Sequence, residues 1–170
     1  GLLEPIVALG GRELWTVVET PQGWQALGRV RDLDAKTDSY SLAPLKVGSA
    51  WSPLFVNDAP GDNIRFPVLA GGHWYTVHGE GGPANYAGPY RVYRADPDGM
   101  TEVGVSDDPA LWRASAPVGS GEGPRLSGDV GWDVSCTLGR CRLLSVDFTS
   151  AKVTERASVD LAGPVGDVAR

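Results

Sequence analysis

Pro67-Val-Leu-Ala-Gly-Gly72, followed at once by His73-Trp74-Tyr-Thr-Val77 and then by Tyr90-Arg-Val-Tyr-Arg-Ala-Asp96, is the stretch that decides the fold class. A short apolar run stops at two glycines, and a second run of aromatic and β-branched residues follows. The third run alternates, with Tyr90 and Val92 on one face of an extended chain. After Asp96 come Pro97, Asp98 and Gly99. Proline presets one backbone torsion and glycine accepts a positive one, so this is a hairpin turn. These features predict antiparallel strands joined by tight turns.

The same order of landmarks occurs twice more. Pro5-Ile-Val-Ala-Leu-Gly-Gly11 precedes Glu13-Leu-Trp15-Thr-Val-Val-Glu19, and Arg125-Leu-Ser-Gly-Asp-Val-Gly131 precedes Trp132-Asp-Val-Ser-Cys136. Trp15, Trp74 and Trp132 are 59 and 58 positions apart. Each copy continues into a run that ends in an acidic turn, at Asp32, Asp96 and Asp147, and then into a last short run: Asp38 to Leu42, Met100 to Val105 and Lys152 to Ala157. Trp51 and Trp112 form a further matched pair in the links between copies. A period of this length marks a repeated supersecondary unit. The expectation is one all-β domain over residues 1–170, built of three four-stranded antiparallel repeats at roughly 1–50, 51–111 and 112–170, each stacked on the next through its tryptophan.

Gly71-Gly-His-Trp-Tyr-Thr-Val, Tyr90-Arg-Val-Tyr-Arg-Ala-Asp and Gly99-Met-Thr-Glu-Val, with Lys152-Val-Thr-Glu of the third copy, resemble β-propeller blades in general and no specific family. The resemblance implies four-stranded meanders around an axis. Propellers have about four to eight blades, so three leave exposed edges. The chain is then part of a larger propeller, as its opening directly on a strand suggests, or two copies complete a homo-oligomeric ring. The alternative is a β-trefoil, which has three four-stranded units by construction.

Composition narrows the function. Basic residues number 15 and acidic residues 21, a net charge of −6 divided equally between the halves, with no basic tail or patch. That argues against nucleic acid or anionic membrane as partner. No run of about 18 apolar residues exists to span a bilayer. The six tryptophans, and apolar residues at twice the share of charged ones, need a packed interior, which excludes disorder. Arg outnumbers Lys by 12 to 3, the usage of a GC-rich bacterial coding sequence.

Cys136 and Cys141 flank a turn containing Gly139, where facing strand positions meet disulfide geometry. The pattern lacks redox CxxC spacing and, with only His73 and His78 besides, a structural zinc set. A structural disulfide in an extracytoplasmic protein is expected, adding roughly 2 kcal/mol for so short a loop. The alternative is two free buried thiols in a cytosolic protein.

No catalytic set, metal site or cofactor motif is apparent. His73 and His78, five apart in a strand, fall on opposite faces. The oxygen-rich Asn57 to Asn63 loop lacks the closing Glu of a calcium loop, and no serine sits in a GxSxG elbow. The aromatic residues Trp24, Trp51, Tyr86 and Trp112 lie in or beside loops, where flat rings near Asp, Asn and Arg suit sugar or peptide recognition. They are the expected ligand-binding residues of a non-catalytic binding or sensor module for a protein or glycan. The alternatives are a glycoside hydrolase fragment using a carboxylate pair such as Asp96 and Asp133, and a structural assembly domain.

Overall fold

The computed structural model describes residues 10–58, 63–64, 67–79, 88–115, 125–127, 130–137 and 139–161. The chain is all-β, with three antiparallel sheets and one helical turn among these residues. The first sheet runs β1 (Glu13–Thr20), β2 (Gly23–Asp32), β3 (Thr37–Pro44), β4 (Ser52–Asn57) in spatial order. In the second, β5 (Asn63–Ile64) and β6 (Val68–Ala70) share one edge of β7 (His73–Gly79), which is followed by β8 (Tyr90–Asp96) and β9 (Gly99–Ser106). Helix α1 (Ala110–Ala114) leads to the third sheet: β10 (Arg125–Ser127), β11 (Val130–Thr137), β12 (Arg140–Asp147), β13 (Lys152–Asp160). Among the described residues no sheet closes on itself. The expected strand at Pro5 to Leu9 lies outside them.

The turns form where their chemistry is encoded. Asp32 accepts the amides of Asp34 and Ala35, and Asp147 accepts those of Thr149 and its hydroxyl, so side-chain oxygens hold both bends. Gly99 and Gly139 take φ of +136° and +81° at the hairpin corners, which glycine alone adopts without strain.

The second sheet is the middle layer. Residues Trp74 to Gly79 of β7 are all buried, which an edge layer with one wet face could not produce. Trp74 and Ala95 pack on Leu27, Tyr40 and Phe55 of the first sheet. From the opposite face, Tyr75, Val77, Tyr90 and Val92 pack on Leu111 and Trp112 of α1 and on Leu144, Val146 and Phe148. Phe148 reaches in because Gly131 has no side chain: a Cβ there would stand 2.9 Å from its ring.

The link that carries Trp51 runs straight into Ser52–Asn57, which is β4, the outer strand of the first sheet and part of its contact with the second. One expectation is corrected: the three tryptophans do not share a structural position. Trp74 pairs with Ala95, one residue before the acidic turn, but Trp132 pairs with Ser145, two before it. An offset of one residue reverses the face on which a strand side chain stands. Trp74 therefore enters the core, whereas on β11 it is Gly131 and Asp133, opposite Val146 and Leu144, that face inward. Trp15 falls at the register shift between Leu14 and Thr16 of β1.

Candidate binding surface on the first sheet

The first sheet packs on the second through Leu27, Tyr40 and Phe55, so the alternate residues of its strands face outward. On β2 these are Trp24, Ala26, Gly28 and Val30. Leu14 pairs with Gly28, and Val56 joins Val30 through Ser39, so Leu14 and Val56 stand on the same face. The amide of Leu45 donates to the Trp24 carbonyl, which puts Leu45 opposite Trp24 at the end of the β2–β3 ladder. Leu14, Trp24, Val30, Leu45 and Val56 are 53, 58, 42, 40 and 50 % exposed. The exposed residues fall in two groups, Trp24 with Leu45 at one end of the face and Leu14, Val30 and Val56 at the other, while Ala26, Gly28, Ser41 and Ala43 between them are buried. Exposed apolar side chains grouped on one sheet face are what interaction sites show.

Trp51 occupies the middle of this face. Its six-membered ring is seated on Gly28, where a Cβ would be 2.6 Å away, and the guanidinium of Arg12 stands over the ring 5.6 Å from its centre. That arrangement is a cation–π contact, and it leaves Trp51 as the clamped floor of the surface. Trp24, four residues along β2 and about 13 Å from Gly28 at the rise of a strand, is the exposed ring.

The inner side of the same sheet carries a polar seam. The Asp38 carboxylate is 1 % exposed and lies 3.5 Å from Arg29 and 3.4 Å from Arg31, with Glu13 paired to Arg29 from the surface. Arg29 holds the Glu13 carboxyl below its ordinary range through a hydrogen bond and its charge. Burial, then the Asp38 charge, pushes the Tyr40 phenol well above its ordinary value. Asp38 pairs in register with Asn57, whose Nδ2 is 3.2 Å from Nε2 of buried His78; the Thr76 hydroxyl is 3.1 Å from the same nitrogen. Tyr93 lies against His78 and donates to Glu102, which also accepts from Arg91. Hydrogen-bonding residues thus cross from the first sheet to the second.

Of the four aromatic residues singled out from the sequence, Trp24 and Trp51 share this outer face. Trp112 does not lie on a rim. It sits on α1, 6 % exposed, with its ring against Gly79 and 6.0 Å from Tyr90, because the link that carries it folds between the second and third sheets. Tyr86 lies outside the described residues, as does the middle of the Asn57 to Asn63 loop. Asp96 and Asp133 do not face each other as a carboxylate pair would. Asp96 ends β8 and pairs with Arg94 at 2.8 Å, while Asp133 faces α1 and takes both Nε and Nη2 of Arg113 at 3.0 and 2.7 Å. His78 is buried in the seam; His73 is exposed, 4.0 Å from Asp96. Among the described residues no group of three His, Cys, Asp or Glu is arranged to hold a metal. No described helix is long and apolar enough to cross a membrane.

Cys136 and Cys141 face each other in the β11–β12 ladder with sulfurs 2.06 Å apart, a disulfide distance. Cys136 is exposed and Cys141 half-buried, which does not fit a pair of buried thiols. The exposed face of Leu14, Val30 and Val56 was missed because valine and leucine alternating in a strand read as core. No family model matches the chain, and no curated protein or solved structure matches it either.

Proposed function

We propose that the chain is a non-catalytic, extracytoplasmic binding module that engages a protein partner through the outer face of its first sheet. The observation that carries this is the exposure of Leu14, Trp24, Val30, Leu45 and Val56 on one sheet face, at either end of the clamped Trp51 ring. Aliphatic side chains around one exposed indole suit an apolar protein surface, with Trp24 as anchor. Trp24, 58 % exposed at a hairpin, favours a second reading, a glycan stacked on the indole. Cysteines at disulfide distance are what an oxidising compartment supports. Three consecutive meanders packed face to face support a blade-like stack, belonging to a larger ring or assembling with further copies.

The test is a pull-down from the extracytoplasmic fraction of the source cells, beside a glycan array, with the unaltered chain and with Trp24→Ala and Val30→Ser. A partner protein retained by the unaltered chain and lost by both variants is expected. Glycan signals abolished by Trp24→Ala alone favour the second reading. Interactions that survive both substitutions unchanged overturn the assignment of this face.

A further inference from the structure

The third sheet carries a feature that the proposed binding surface does not use. Cys136 and Cys141 are directly opposite in the β11–β12 ladder, five residues apart, with Cα atoms 4.0 Å apart. The strands they join are already held together by the flanking pairs Ser135 with Arg142 and Thr137 with Arg140. Arg140 also bonds Glu155 and Ser158 of β13. These contacts do not pass through the sulfur bond. The two residues differ in surroundings. Cys136 is exposed, whereas Cys141 is half-buried in the wall of a shallow apolar groove of about 210 Å³ with Val134, Leu143, Ala157 and Val159.

Thiol–disulfide exchange requires in-line approach of a thiolate to one sulfur, and access decides which sulfur is attacked. We propose that this pair is a thiol-exchange site at which Cys136 is attacked by an external thiol and Cys141 is the leaving and resolving group. The external thiolate forms a bond to Cys136 Sγ and breaks the Cys136–Cys141 bond. Cys141 departs as a thiolate and takes a proton from water. A second external thiolate then attacks the external sulfur of the mixed disulfide and releases Cys136, so two external thiols are oxidised to one disulfide as the protein's is reduced. In reverse, Cys141 attacks Cys136 Sγ of the mixed disulfide and expels the external thiolate. The ligand chemistry is an accessible thiolate, carried by a small molecule or by a redox protein.

The test treats the folded full chain with reduced glutathione in one arm and, in the other, with a thioredoxin lacking its resolving cysteine. Reactions are quenched with acid, alkylated and mapped by mass spectrometry, with circular dichroism as the check on fold. Mixed disulfides are expected on Cys136 over Cys141 by about tenfold or more, following the difference in access, with the β signal retained. Reaction in one arm alone identifies the source of the thiol. Equal labelling of both cysteines, or a bond that opens only after the sheet is unfolded, overturns the proposal. Cys141→Ser should react with oxidised glutathione faster than Cys136→Ser; if either variant fails to fold, mapping of the unaltered chain still decides.

Discussion

Trp51 fills the space that Gly28 leaves by having no side chain, the nearest ring atom standing 2.6 Å from where a Cβ would be. The glycine is needed there for room, since its φ lies outside the left-handed region. This contact seats the chain after β3 across the outer face of the first sheet and brings Arg12 over the ring.

Gly28→Val should expel the indole and expose the sheet face beneath it. A stability loss of about 1–3 kcal/mol is expected, the usual result of forcing volume into a filled site. Urea unfolding followed by tryptophan fluorescence measures both, since the emission of Trp51 should shift to the red in the folded variant.

Trp112 and Trp24 should behave oppositely. Trp112→Ala empties a site between the second and third sheets and is expected to cost about 3–5 kcal/mol. Trp24→Ala removes a ring that is 58 % exposed and should change stability by less than about 0.5 kcal/mol. Comparing the two midpoints in denaturant checks the placement of each residue.

Arg29→Ala should destabilise the seam by about 3 kcal/mol, because it strips the buried Asp38 carboxylate of one of its two cations. Adding Asp38→Asn removes the charge left behind and should recover part of the loss. A double-mutant cycle in which the two effects simply add would show that the pair is not coupled.

Stability should fall at both ends of the pH scale, through different groups. The Tyr40 phenol is raised in the folded state by burial and by Asp38. Its contribution is complete below the ordinary value of 10.0 and is lost as pH climbs toward the folded value, a loss that Tyr40→Phe should abolish. At Asp147 burial acts to raise the carboxyl, but hydrogen bonds from Thr149 and Ser150 outweigh it and hold it low. Its contribution is present above the ordinary 3.8 and disappears as pH falls below that, so Asp147→Asn should flatten the acid limb. Thermal melts across both limbs measure each slope.

Local chemistry makes most of the strands legible in the sequence itself. Alternation in Tyr90 to Asp96, the glycine corners and the aspartate turns are short-range signals, and β8, β12 and the β8–β9, β11–β12 and β12–β13 hairpins lie where those signals put them. Facing of Cys136 and Cys141 was legible for the same reason, since a tight turn fixes which residues oppose each other. How sheets stack is a long-range matter. A register offset of one residue, invisible in an alignment of tryptophans, turns Trp74 into the core and Trp132 to the other face of its sheet. Trp112 became an interior residue because its link folds between two sheets, and Ser52–Asn57 became a strand because β3 offered a free edge. The exposed face of the first sheet could not be told from a buried one, because alternation records that a strand has two unlike sides and burial depends on what the rest of the chain brings against each of them.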